Sequence, residues 1–363
     1  MGTNVELNAA EAALAFQCPG RLVSVTQHGD GHINDSFCAT FQNGHGPRRY
    51  LLQHINTSIF RDPSALMRNI ERVTAHLAAK SADHPDRQRR VLSLVSSNDG
   101  GALHQDRDGQ YWRMYHFIDG ASTISQVRSP RQAYEAARAF GQFQAQLADL
   151  PTPPLAETIP NFHHTPSRFA ALEQAIAANP LGRVAGAAHE IDFALTHRSM
   201  IRTLFDAGLP VRTTHNDTKI NNVLLDDATG EGICIVDLDT VMPGFSVYDF
   251  GDLARTSLCA AAEDERNLSK VEMDFSLFEA LVRGFLSSTG GFLTAAERRS
   301  LPFSCKLITF NIGIRFLTDH LQGDTYFRIH RESQNLDRAR TQFQLIRSIE
   351  QNEERMLRLV ESL

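Results

Sequence analysis

The stretch THNDTKINNVLLDDATGEGICIVDLDT, residues 214–240, decides the reading of this chain. Two short apolar runs, 222–226 and 233–237, flank a turn rich in Asp and Gly, the pattern of an antiparallel hairpin. In a symmetric register Asn222 lies across from Asp237. An amide oxygen and a carboxylate then share the open end of the hairpin, and hard cations take oxygen ligands of this kind. Asp217 lies on the loop entering the same end. A polar turn before a hairpin also uses Asn and Asp, as Asx turns and caps.

Four residues at fixed offsets go beyond what a turn requires. His215, Asp217 and Asn222 fit the spacing H-x-D-x-x-x-x-N of a kinase catalytic loop, and Lys219 stands two residues after the Asp. Phosphoryl transfer needs a carboxylate to accept the proton of the attacking hydroxyl, metal ligands to hold a triphosphate, and fixed positive charge near the transferred group. The spacing therefore predicts ATP as donor, Asp217 as base, Lys219 on the γ-phosphate, and Asn222 and Asp237 as Mg2+ ligands. Asp249-Phe250-Gly251 spells the kinase metal tripeptide, but it lies well beyond the hairpin end. Asp249 is predicted to brace the loop and to cap a helix beginning near Phe250.

Outward from this segment the chain changes texture. Before it, RLVSVTQ (21–27), DSFCATF (35–41), RRYLLQ (48–53), RRVLSLV (89–95) and QYWRMYHFI (110–118) read as strands, with an amphipathic helix over 64–80. From about residue 130 helical spacing dominates, at 131–150, 187–207, 275–286 and 336–359. The expected fold class is α+β with two lobes: a small β-rich N-lobe over 1–117 and a large, mainly helical C-lobe over 118–363, hinged at Ile118, Asp119 and Gly120. At 363 residues the chain suits two lobes sharing a cleft.

Composition excludes several classes. With 42% hydrophobic and 21% charged residues the chain is globular. A net charge of -6 with no basic run disfavours nucleic acid as partner. No window reaches the roughly 18 apolar residues of a spanning helix, and the start does not read as a secretory signal, so a cytoplasmic protein with no membrane association is expected. Five cysteines without a C-x-x-C pair argue against disulfides and structural zinc. No obligate protein partner is evident.

Further motifs are GDGHIN (29–34), NTSIF (56–60), LMRN (66–69), DLDTVMPG (237–244), DFGD (249–252), RFL (315–317) and GDTYF (323–327). With HNDTKINN (215–222), they resemble the aminoglycoside phosphotransferase and choline kinase-like family, and within it the N-acetylhexosamine 1-kinases. The resemblance spans nearly the whole chain. It implies a bilobal protein kinase-like fold and phosphorylation of the anomeric hydroxyl of N-acetylglucosamine and N-acetylgalactosamine by ATP with Mg2+. Asn216, Asp217, Arg315, Asp324 and Tyr326 would then meet the sugar. Gly29, Gly31, Asn34, Gln53, Tyr115 and Phe117 would meet the nucleotide, the glycines covering phosphates and the strand ending at the hinge holding the adenine edge. Arg315 and Asp319, four apart on a helical pattern, also read as a plain ion pair.

The sequence departs from protein kinases at one point. Of its four lysines, Lys80, Lys219, Lys270 and Lys306, none lies in an N-lobe strand, so the Lys that grips the α- and β-phosphates is missing. Gln53, Arg49 or backbone amides are the substitutes at hand, and Glu71 on the following helix is a possible partner. The gap leaves a nucleotide-binding pseudokinase as a second class. Other acceptors on the same fold are a third. Choline needs an aromatic cage, for which one Trp and six Tyr give few candidates, and an aminoglycoside needs an acidic pocket.

Overall fold

Alternating apolar positions build the first sheet. In Asp35–Asn43 the buried residues are Phe37, Ala39 and Phe41, every second side chain, as a strand with one covered face requires. The computed structural model describes residues 2–29, 33–289 and 291–363. Five antiparallel strands lie in the order Arg21–Gln27, Asp35–Asn43, Gly46–Ile55, Tyr111–His116 and His104–Gln105. An N-terminal helix, Gly2–Leu14, places Ala9, Ala12 and Ala13 against Phe37, Phe41, Leu52, Trp112 and Met114. Small side chains on that helix let its backbone approach the sheet closely.

This sheet belongs to the first of two compact units, residues 1–121, 149–159 and 233–242; the second comprises 122–148, 160–232 and 243–363. The helix Pro63–Lys80 starts with Pro63 in its first turn, and the Asp62 carboxylate accepts the Ala65 N–H at 2.8 Å. The helix draws in the distant 149–159 segment. The Asn69 amide exchanges two hydrogen bonds with the backbone of Ala156, Arg72 donates to the Pro151 and Pro153 carbonyls, and Lys80 pairs with Asp149.

RRVLSLV is not a strand. Arg87–Arg90 forms one helical turn, and beyond it Leu94 bridges Tyr115 while the Val95 N–H donates to the Met114 carbonyl. Beside this segment a cavity of about 1100 Å³ is lined by Arg49, Glu71, Ala75, Leu92, Phe117 and others.

In the second unit the helix Pro130–Leu147 packs on Phe275–Thr289 at close range through two glycines. A Cβ on Gly141 would meet Ser288 Oγ at 2.6 Å, and one on Gly284 would meet the Tyr134 carbonyl at 2.2 Å. Two long helices, Ala295–Gln322 and Gln334–Ser362, pack together and complete the unit. The first of these opens with a capping box between Thr294 and Glu297, and Arg212 clamps the Glu297 carboxylate at 2.7 and 2.9 Å. The helical pattern over 187–207 breaks into Ala188–Thr196, a 3₁₀ turn at Arg198–Arg202 and Thr203–Asp206. Among the described residues no helix is long and apolar enough to cross a membrane.

Candidate active site

The loop after the strand Val211–Thr214 is held almost entirely from behind. Asp249, fully buried, accepts the N–H groups of His215 at 2.9 Å and Asn216 at 2.7 Å, and its own carbonyl accepts the Thr218 hydroxyl at 2.5 Å. The Gln144 amide donates to the same carboxylate at 2.6 Å. Burial pushes this carboxyl upward, while His215 and the donated hydrogen bonds pull it down. Asp249 thus braces the loop, as expected, but it does not cap a helix. The helix runs Ser246–Ser257, and Asp249 sits inside its first turn.

Held this way, Asn216 adopts a left-handed backbone with φ 67°, a conformation Asn tolerates better than most residues. Gly244 presses on it from the side: a Cβ there would lie 2.4 Å from Thr214 Oγ1 and 2.7 Å from Asn216 Oδ1. The Asn216 side chain bonds with Thr214 and is 3% exposed. It supports the loop from inside, its amide, expected to meet an acceptor, being bonded to Thr214.

Asp217 follows, facing outward. Its N–H points at His215 Nδ1 at 3.3 Å. Its carboxylate receives Asn222 Nδ2 at 3.1 Å and lies 3.3 Å from Lys219 Nζ. Burial raises its pKa, but Lys219, His215 and Arg255 outweigh burial and hold the carboxyl below its usual range. The sequence-predicted residues Asp217, Lys219 and Asn222 therefore come together. Asn222 donates from its nitrogen, also to the Asp217 carbonyl at 2.8 Å, which leaves its oxygen as the atom suited to a cation.

Asn222 ends a 3₁₀ turn, Ile220–Asn222, and the hairpin strands are Val223–Asp226 and Gly232–Ile235. Asn222 and Asp237 both fall outside the strands, so the symmetric ladder pairing expected of them is not formed. Asp237 instead takes a left-handed backbone, φ 61° and ψ 60°, ahead of the turn Leu238–Thr240. Among the described residues no group of three or more His, Cys, Asp or Glu side chains could hold a metal.

The predicted nucleotide residues fare unevenly. Gly29 has φ 71° and open space where a Cβ would stand, whereas Gly31 lies outside the described residues. Tyr115 is buried, and burial pushes its hydroxyl upward. Phe117 lies under the Arg49 guanidinium, 4.2 Å from its ring centre, with His28 at its edge. Arg49 also pairs with Asp119. Gln53 and Asn34 are turned into a buried network: Gln53 joins Ser36 to Arg113, and Asn34 donates to Asp239 at 2.6 Å. These bonds occupy the two side chains expected to meet the nucleotide.

On the second unit's long helix, Arg315 is surrounded by aromatic rings. Its guanidinium carbon lies 5.3 Å from the centre of Phe162, 5.4 Å from Phe327 and 5.7 Å from Tyr326, whose hydroxyl accepts an N–H at 3.4 Å. Asp324 is not available to an acceptor: its side chain is 4% exposed, paired with Arg183 at 2.6 Å and bonded by Asn335. Asp319 accepts the N–H groups of Thr325, Tyr326 and Phe327, fixing the loop that carries the rings instead of pairing with Arg315.

His163 links this box to the catalytic loop and was not picked out by sequence reasoning. Its Nε2 donates to the Asn216 carbonyl at 2.6 Å. Burial lowers its pKa to about 4, opposed by Asp252, by the bond to Asn216 and by Asp217, and reinforced by Arg315. The sign follows from the unfolded chain, in which a His protonates near 6.5. Below that pH the unfolded state takes up a proton that the folded state refuses, so stability present above pH 6.5 is lost toward pH 4. The expected loss is up to about 3 kcal/mol. Urea titrations across this range should show wild type losing more stability than His163→Gln, which keeps a donor for Asn216; parallel curves would remove His163 from this role.

The loop keeps the H-x-D-x-x-x-x-N spacing of a kinase catalytic loop, with its Asp217 carboxyl held below the usual range. The phosphotransferase enzyme family model matches residues 24–281, and the chain belongs to that family. Solved structures with the same fold include an aminoglycoside phosphotransferase from Alicyclobacillus acidocaldarius, 14% identical, with a TM-score of 0.60 over 96% of this chain and 94% of the other. A microcompartment-associated aminopropanol kinase is 16% identical, with a TM-score of 0.58 over 97% and 98%. Choline kinase from Cryptosporidium parvum is 16% identical, with a TM-score of 0.54 over 98% and 99%. The fold is protein kinase-like, a β-sheet N-terminal part followed by a helical C-terminal part.

Proposed function

We propose that this protein transfers the γ-phosphoryl group of ATP to the anomeric hydroxyl of an N-acetylhexosamine. Asp217, ionised at neutral pH, accepts the hydrogen bond of that hydroxyl and takes its proton as the phosphorus–oxygen bond forms. Lys219 steadies the γ-phosphate. Asn222 and Asp237 are the proposed Mg2+ ligands, and the cation would neutralise charge developing on the phosphate oxygens. Gly29 and the amides after it are proposed to cover the phosphates, with Tyr115 and Phe117 near the adenine.

The observation that carries the acceptor class is the guanidinium boxed by Phe162, Tyr326 and Phe327. Aromatic faces hold cations, and here the chain's own Arg315 uses them. A choline or ethanolamine head would find like charge in place of a cage. Asp319 and Asp324 are tied up internally, so this region offers no acidic pocket for an aminoglycoside. A neutral sugar suits the arrangement, because Arg315 donates to its oxygens, Tyr326 bonds its hydroxyls, and the rings cover its apolar face and N-acetyl methyl.

Equal concentrations of N-acetylglucosamine, N-acetylgalactosamine, choline, an aminoglycoside and a mixed peptide, each with ATP and Mg2+, provide the test. NMR should show both hexosamines converted to 1-phosphates and the others unchanged. Phosphate on choline or peptide, with neither hexosamine consumed, overturns the acceptor while leaving the kinase reading standing.

A further inference from the structure

In the first unit the strand run RRYLLQ, where the sequence reading looks for a phosphate-gripping Lys, ends in Gln53, and Gln53 pairs in register with Arg113 on the neighbouring strand. Arg113 is 1% exposed. Its Nε donates to Gln53 Oε1 at 3.0 Å, and both terminal nitrogens grip Asp239, at 2.5 and 2.9 Å. This is a bidentate pair in a dry setting, the strong form of the interaction. Burial disfavours the charged guanidinium, yet Asp239, helped by Asp237, raises its pKa above the usual value.

Asp239 collects further partners. Asn34, just past the glycine corner, donates to it at 2.6 Å and receives the Asn56 N–H at 3.0 Å, and the Asp239 carbonyl accepts the Thr158 hydroxyl at 2.6 Å. Both carboxylate oxygens of Asp239 are therefore engaged. The strands at Gln53 and Arg113, the exit of the 29–34 corner and the Asp237 turn share one ionic knot.

We infer that Arg113 and Asp239 are positioning residues that stand in for the missing strand Lys, tying the sheet and Asn34 to the Asp237 segment so that Asp237 meets the metal-bound triphosphate in a fixed geometry. The proposed acceptor contacts Asp217, Arg315 and Tyr326 belong to the second unit. The inference rests on the proposed assignment of Asp237 as metal ligand.

Removing one partner alone would strand a buried charge and endanger the fold. The informative variant replaces both with apolar residues of similar size, Arg113→Met with Asp239→Leu, a swap that buried pairs often tolerate. Arg113→Lys is made in parallel, keeping the charge and losing the fork. Steady-state kinetics with wild type should show Mg2+-dependent turnover. The double variant, folded by circular dichroism, should show kcat lowered about tenfold or more and the Mg2+ concentration for half-maximal rate raised severalfold, with the acceptor KM unchanged. Arg113→Lys should show a milder form of the same split.

Unaltered Mg2+ dependence and kcat in a folded double variant overturn the inference and leave the kinase reading intact. If the double variant does not fold, Arg113→Lys decides, and wild-type constants there overturn it. Wild type that consumes no ATP with any acceptor overturns the kinase reading first, and this inference with it.

Discussion

Asp217→Asn is expected to abolish turnover while nucleotide binding stays nearly intact. The substitution is almost isosteric, and the contacts that shape the loop use the main chain of residue 217: its N–H on His215 Nδ1 and its carbonyl under Asn222 Nδ2. Those survive. What disappears is the ionised oxygen that lies 3.3 Å from Lys219 and that His215 and Arg255 help keep deprotonated. An amide there accepts a hydrogen bond weakly and takes no proton. Loss of a general base costs about 10² to 10⁴ in rate, and poorer positioning of the acceptor hydroxyl adds to that. Calorimetric titration with ATP and a coupled turnover assay would separate the two quantities. Wild-type turnover in the variant would take Asp217 out of the base role; loss of ATP affinity equal to the loss of rate would make it a nucleotide contact.

The parts of this molecule that were legible in its sequence are local. Asp217, Lys219 and Asn222 lie within six residues, so spacing along one loop suffices to bring them together. The sheet strands at 21–27 and 35–41 announce themselves through alternation and turn residues. The long helix Ala295–Gln322 was only partly visible, because it is apolar nearly all round and carries Pro302, leaving no clean stripe. The helix Ser246–Ser257 begins before the expected start because Val247, Tyr248 and Phe250 are all buried, and packing overrides the modest propensities of its first turn.

Long-range polar partners were illegible for a physical reason. Arg113 and Asp239 are 126 residues apart, and only the register that sets Gln53 beside Arg113 reveals why an Arg is buried there. Asn216, Gln53, Asn34 and Asp324 have the right chemistry for ligands, but sequence does not say which way a side chain turns. Each is consumed by a neighbour: Thr214, Arg113, Asp239 and Arg183 respectively.

Asp249, a structural carboxylate, and Asp237, the proposed metal ligand, can be told apart by experiment, and both precede an apolar residue. Asp249→Asn should damage the fold, since the two backbone N–H groups of His215 and Asn216 and the Gln144 amide all point at its oxygens. An amide has one oxygen to offer, and its NH₂ faces donors. Each buried N–H left unpaired costs about 1–3 kcal/mol, so the melting temperature should fall by several degrees for a chain of this size. The Mg2+ requirement of whatever folded fraction remains should be unchanged. Asp237→Asn is expected to do the reverse. Its left-handed turn suits Asn as well as Asp, so the melt should move little, while activity at ordinary Mg2+ concentrations collapses and recovers partly at high Mg2+ or with Mn2+. Thermal melts and metal titrations on both variants check the pair of outcomes. A Mg2+ requirement raised more by Asp249→Asn than by Asp237→Asn, with the melt of Asp249→Asn unmoved, would mean that the two aspartates have exchanged roles.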